Sequence, residues 1–299
     1  MSAEDAAAAK NSSVQFGSAL VVAAAATYGV GTTLSRLVYD GGGNPLTVVL
    51  LRSAAFAIVV GIVLLVLRRQ FRLPRAAILS TLWMACTLSM VSFGYQGSVA
   101  FIPVSLAALI FYTYPLLVGI VATLSGRDRM TLGKGAALVA AFVGLALALG
   151  PSFEALDWRG VGSALMAAFG MTLTITFSRG AIRGHDTLVM NFYTNLWMAL
   201  GFAIFAAATQ ALAWPTDGVG RAAMGAVVVT YIVAFTTWFV ATRLVPPVRL
   251  AALFNVEPLV SIFMAWLVLG ERLGPVQLIG VALVLGSIVA MTLGGARRL

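Results

Sequence analysis

The chain has 299 residues, of which 61% are hydrophobic and 10% charged, with a net charge of +9. A water-soluble core of this length has no use for so much apolar surface, so the repeated apolar runs read as membrane-spanning helices. The positive balance comes without a basic helical face or a nucleic-acid-binding motif, which sets nucleic acid aside, and the lone Cys86 sets aside a disulfide or metal framework.

Residues 1–14, an alanine run with Lys10, read as a flexible cytoplasmic tail. They lack the charge-before-apolar order of a cleavable signal. Ten apolar segments follow, near 16–38, 45–67, 76–99, 104–125, 132–150, 159–180, 187–210, 220–243, 248–269 and 275–294. Each is about 20 residues long, enough to cross roughly 30 Å of hydrocarbon as a helix. The runs are continuous rather than alternating, which argues against barrel strands. Only Phe101-Ile102-Pro103 separates the third segment from the fourth, and Pro246-Pro247 the eighth from the ninth. Proline suits the first turn of a helix, where its missing N–H would have no partner anyway. Residues 295–299 remain as a short cytoplasmic C-terminus.

The basic residues set the orientation. With the N-terminus inside, 14 of the 19 Lys and Arg residues fall on the cytoplasmic side, Arg68, Arg69, Arg72 and Arg75 among them. Arg36, Arg159, Arg221 and Arg272 fall outside, and Arg52 lies within a segment. This bias predicts a multi-pass protein of the inner (plasma) membrane with both termini cytoplasmic.

The chain also repeats itself. Pro103 and Pro115 recur as Pro246 and Pro258, each 143 residues later. At the same offset Tyr95 falls on Trp238, Tyr112 on Asn255, Arg52 on Asn195, and Ser35-Arg36 on Ser178-Arg179. Residues 15–150 and 157–294 are then two five-helix repeats. Five is odd, so the second repeat enters the membrane from the opposite side. Two inverted halves build one site near the midplane, and rocking about it exposes that site to either face.

Ten spans in two halves, a proline opening and another bending the fourth helix of each half, and Glu257-Pro258 followed by Gly270-Glu271-Arg272 resemble the drug/metabolite transporter superfamily. The nearest branch is the EamA-type exporters, closest in character to bacterial aromatic amino-acid exporters. The resemblance covers about residues 15–294. It implies an all-α integral membrane fold, two inverted five-helix repeats around a central cavity, and export of small metabolites. The halves also differ: Tyr114-Pro115 stands where the second half has Glu257-Pro258, and Arg127-Asp128-Arg129 where it has Gly270-Glu271-Arg272.

Several residues are candidates for function. Glu257 lies about ten residues into its segment, roughly 15 Å deep at 1.5 Å per residue. A carboxylate there must face a partner or a cavity, or be protonated. It reads as a substrate-amine contact or a proton-linked switch, against a structural pair between helices. Pro115 and Pro258 withhold the donor that would serve the carbonyls of Phe111 and Phe254, and so mark a kink or hinge. Tyr95, Tyr112 and Trp238 stand at mid-segment rather than in the interfacial belts, where they can form an amphipathic wall or simply fill space. Asn255 offers an amide to a carboxylate or amine, or holds two helices together. Arg52 can draw in a carboxylate, although snorkelling or a structural pair is the simpler reading. Arg36, Arg179, Arg243 and Arg249 read as topology determinants. His185 is in a loop and is no credible base. Gly133, Gly135, Gly144, Gly280 and Gly286 suggest close helix contacts, within one subunit or in a homodimer.

These residues favour a secondary transporter of amino acids with aromatic or other apolar side chains, working by alternating access. No ATP-binding loop or cofactor motif occurs, so coupling would be to a gradient, protons included, or to none. A sugar-phosphate or nucleotide-sugar carrier would need basic residues deep in the pocket; a drug efflux protein is the other alternative. An intramembrane transferase would need acid, base or metal groups clustered at one face, and Asp40, Glu154, Asp157, Asp217 and Glu271 are scattered. A channel would need polar rings at one level.

Overall fold

The computed structural model describes residues 3–99, 101–102, 104–126, 131–150, 157–182, 184–269 and 274–294. Pro103, Arg127, Asp128, Arg129, Glu154, Arg183, Gly270, Glu271, Arg272, Arg297 and Arg298 lie outside these residues. The described residues form twelve helices and no strand: α1 (Ala3–Asp40), α2 (Pro45–Val66), α3 (Arg75–Val99), α4 (Val104–Phe111), α5 (Tyr114–Leu124), α6 (Leu132–Leu149), α7 (Trp158–Ile182), α8 (Thr187–Thr209), α9 (Gly218–Leu244), α10 (Pro247–Phe254), α11 (Val256–Leu269) and α12 (Pro275–Gly294). Eight stretches are long and apolar enough to cross a membrane, and two shorter apolar helices, Gly135–Ala148 and Pro275–Ser287, complete the set. Two of the ten spans are broken, the fourth into α4 and α5 and the ninth into α10 and α11. The even number of crossings leaves both ends of the chain on one face.

Local chemistry explains the ends. Asn44 caps α2 by accepting from the Thr47 amide, with Pro45 in the first turn. Asp186 caps α8 through Leu188 N, and Asp217 caps α9 through Gly220 N. Helix begins as early as Ala3, within the stretch expected as a tail, as an alanine run favours. Hydroxyls inside the spans donate back to carbonyls one turn earlier, as Ser18 does to Val14 and Thr172 to Ala168, which satisfies them away from water.

The two halves are related by an exchange that the contacts obey. α1 packs against α9, and α7 against α3; α1 also touches α10 and α11, and α7 touches α4 and α5. α2 meets its own counterpart α8, and α6 meets α12. The register keeps the 143-residue offset seen in the sequence. Gly17 lies so close to α9 that a Cβ there would stand 2.5 Å from Leu244 Cβ and 2.8 Å from Val245 Cγ2. Its counterpart Gly160 would meet Ile102 Cγ2 at 2.8 Å and Phe101 Cβ at 3.0 Å. Small residues let helices approach where no hydrophobic force draws them together. Gly144 and Gly280 serve the α6–α12 contact in the same way, a Cβ on Gly144 coming within 2.8 Å of Gly280 O, whereas Gly133, Gly135 and Gly286 have open space around them.

The prolines produce full breaks rather than gentle bends. Around Pro115 the chain turns tighter, with Thr113 N bonded to Ile110 O at 3.1 Å and Leu116 N to Thr113 O at 3.0 Å. The Thr113 hydroxyl adds a second bond to Ile110 O at 2.7 Å. Ahead of Pro258, Asn255 N reaches back to Ala252 O at 3.2 Å and ends α10. Three-residue turns and a hydroxyl thus serve the carbonyls of Ile110, Thr113 and Ala252 beside the breaks.

Candidate functional site

Where the halves meet, a cavity of about 600 Å³ is lined by residues from every helix except α5. Its lining begins beside the helix breaks with Trp238, Phe254, Phe111 and Tyr28. From there it runs towards the face where α1 and α6 end and α2, α9 and α12 begin, reaching Arg36, Tyr39, Ala148 and Gln277. On the other side of Trp238 the core is closed by Phe239, Val245, Val248 and Leu250, all buried.

Aromatic rings make the walls. Tyr28 stands edge-on to Tyr231 at 6.1 Å and to Phe254 at 5.7 Å. Phe235 bridges Tyr231 and Trp238, at 5.3 and 6.0 Å. Across from them Phe111 contacts Tyr95 at 5.4 Å and Tyr112 at 5.1 Å. Such pairs each add about 0.5–1.5 kcal/mol beyond area burial, so the walls are stiff.

The charged groups sit at particular points of this surface. Glu257 is the second residue of α11, held up to the cavity by the break at Asn255. The Thr32 hydroxyl lies 3.5 Å from its Oε1, and Tyr112 interacts with it as well. α1 comes close here because residue 29 is glycine: a Cβ would fall 2.5 Å from the Glu257 carbonyl oxygen. The Thr33 hydroxyl then bonds to Ser261 O at 3.2 Å and fastens α1 to α11. Arg52 enters from α2 with its guanidinium carbon 4.6 Å from the centre of the Tyr231 ring, a cation–π contact. The Tyr231 hydroxyl donates to Asn195 Oδ1 at 2.8 Å, and Asn195 in turn donates to Asn191 O at 3.2 Å. Arg36 also lines the cavity.

Of the residues singled out from the sequence, Tyr95, Tyr112, Trp238, Glu257 and Pro258 line the cavity. Asn255 and Pro115 do not. Asn255 is turned into the protein at the C-cap of α10, 4% exposed, and its Oδ1 finds no hydrogen-bond partner among the described residues. Pro115 is buried in the first turn of α5. Sequence reasoning passed over Tyr28, Tyr231 and Phe235, and took Arg36 for a topology signal. The match of Arg52 with Asn195 was the available clue, since both side chains converge on Tyr231.

Two of the loop carboxylates have structural work. Asp217 caps α9, and Arg159 bonds to Asp157 at 2.6 Å and holds its carboxyl below the usual carboxylate range. The loops themselves are tied in pairs. On one face Asn44 N donates to Ala213 O at 3.3 Å and Thr216 N to Gly41 O at 2.9 Å. On the other, Arg69 pairs with Asp186 at 3.7 Å, Tyr193 OH donates to Phe71 O at 3.1 Å, and Arg243 donates to the His185 carbonyl.

Comparison with known proteins agrees with this architecture. A protein of Bacillus subtilis (strain 168) described as the uncharacterized transporter YoaV is 22% identical over 258 residues, 83% of this chain and 87% of that one. A solved crystal structure superposes with a TM-score of 0.80 at 19% identity, over 93% of this chain and 98% of the other, which speaks for the fold alone. The EamA-like transporter family model matches twice, over residues 15–150 and 158–293. Two tandem copies spanning nearly the whole chain establish it as a member of the EamA-like transporter family.

Proposed function

We propose that this transporter exports amino acids with aromatic or other apolar side chains across the inner membrane, by alternating access about the cavity between its halves. The observation that carries the reading is the cavity's make-up: ring-lined walls with one carboxylate, Glu257, among the described residues that line it. An apolar side chain gains from the walls and an α-amine from Glu257. With the N-terminus in the cytoplasm, the lining runs towards the outer face, and this arrangement corresponds to an outward-facing state. Pro115, Pro258 and the breaks beside them are the proposed hinges, and the copies act as monomers or as a homodimer.

A phosphorylated sugar is the second reading, because Arg36 and Arg52 both line the cavity. Glu257 weighs against it, since a carboxylate repels a dianion in the same confined space. Purified protein in proteoliposomes, offered a panel of amino acids and sugar phosphates with and without a proton gradient, tests both. Preference for sugar phosphates would remove the amino-acid reading. Dependence on the gradient would identify protons as the coupling ion.

Trp238→Ala should weaken handling of phenylalanine about two- to twelvefold, the loss expected from one aromatic contact of about 0.5–1.5 kcal/mol. Alanine or serine uptake should change less. Equal losses for all substrates would mean damaged packing against Phe235 and Phe239, which lie 6.0 and 5.6 Å away.

A further inference from the structure

Arg52 is a guanidinium about 10 Å inside its span, counted from Pro45 at 1.5 Å per residue. A cation at that depth is costly unless an anion or an aqueous space receives it. Among the described residues it forms no ion pair, and its Nε is buried without an acceptor. The Tyr231 ring face is its recorded neighbour, and a ring does not replace a counter-ion. Glu257 lines the same cavity, yet the two do not pair. Among the described residues the cavity lining therefore holds one carboxylate, Glu257, and two guanidiniums, Arg36 and Arg52, and Arg52 and Glu257 stand apart rather than paired.

The charges of these last two belong to the site and not to the repeat. At the 143-residue offset Arg52 falls on the neutral Asn195, Glu257 on Tyr114, and Tyr231 on Leu88. The scaffold is thus nearly symmetric and Arg36 recurs as Arg179, while the charges of Arg52 and Glu257 do not recur. The neutral counterpart has a task of its own: Asn195, fully buried, accepts from the Tyr231 hydroxyl and fixes the ring on which Arg52 rests.

We propose that Arg52 is the anion-binding group of the cavity, with Tyr231 and Asn195 as its positioning residues. The transported molecule then presents a carboxylate to Arg52 and an amine to Glu257. This rests on the transport reading above and narrows it to zwitterions.

The test uses the full chain in proteoliposomes with three probes: phenylalanine, phenethylamine, which lacks the carboxylate, and 3-phenylpropionate, which lacks the amine. The wild type should take up phenylalanine and discriminate against the other two. Arg52→Gln should raise KM for phenylalanine tenfold or more, as expected for loss of a hydrogen bond between charged groups, with little change in the maximal rate. It should also abolish the preference for phenylalanine over phenethylamine. Arg52→Lys should restore part of the affinity, because it keeps the charge and loses the fork. Tyr231→Phe, which keeps the ring and frees Asn195, should raise KM less than Arg52→Gln does. An unchanged KM in Arg52→Gln, or equal losses for phenylalanine and phenethylamine, overturns the proposal.

Thermal unfolding separates this from failure of the transport reading. 3-Phenylpropionate should raise the melting temperature of the wild type and not of Arg52→Gln. If the wild type moves no amino acid but this difference persists, the anion site stands and the substrate assignment falls. If the carboxylate stabilises both proteins equally, Arg52 is not the site. Should Arg52→Gln fail to reach the membrane, Arg52→Lys carries both measurements, and an unchanged KM and shift there overturns the proposal as well.

Discussion

Replacing Glu257 by glutamine should cut amino-acid uptake roughly ten- to hundredfold while leaving a folded, membrane-inserted protein. A hydrogen bond between charged partners contributes about 1.5–3 kcal/mol, and each 1.4 kcal/mol is a factor of ten. The amide keeps the shape and one acceptor, so Thr32 still has a partner and α11 keeps its contact with α1 through Gly29. What is lost is the charge proposed to meet the amine. Glutamine also has no proton to exchange, so any dependence of the wild-type rate on pH should flatten in the variant. Uptake that is unchanged across pH would make Glu257 a structural residue. A protein missing from the membrane would say the same.

Gly94→Val should damage the fold itself. A Cβ at residue 94 would stand 2.6 Å from Ser163 O and 2.8 Å from Ala167 N, both backbone atoms of α7 that no rotamer change can move. Overpacking commonly costs about 1–3 kcal/mol, and a branched side chain against backbone belongs at the upper end. The expected result is a melting temperature lower by about 5 °C or more in detergent, with reduced yield. Gly225→Ala is the control, because nothing lies within 4 Å of a Cβ there. Equal stability of the two variants would contradict the close α3–α7 contact and, with it, the exchange that relates α3–α7 to α1–α9.

Much of the architecture could be read from the chain because the bilayer simplifies the problem. A helix that must satisfy its own backbone needs a fixed length of apolar residues, and such lengths are visible as runs. The repeated prolines were visible for the same reason, since proline is costly inside a helix wherever it occurs. How far each break reorients the chain was not visible. Asn255 and Glu257 are two residues apart, yet the turn that ends α10 sends one into the protein and the other to the cavity. Arg36 illustrates a different limit: an arginine near the end of a span reads as a topology signal, and only the packing of α1 against α9 gives it a place on the cavity lining. Tyr231 was passed over, because a cation–π contact from another helix leaves no mark in local sequence. The Arg52–Asn195 correspondence did leave one, since both side chains meet at Tyr231.

α5 and α10 touch one another, so the two helix breaks share a single seam across the protein. Neither break can straighten without disturbing the other. Under the proposed alternating access, a movement that parts the halves on one side of the membrane would press them together on the opposite side. A continuous aqueous path from one side to the other would thereby be avoided, and a cell could run such a carrier without short-circuiting its own ion gradients.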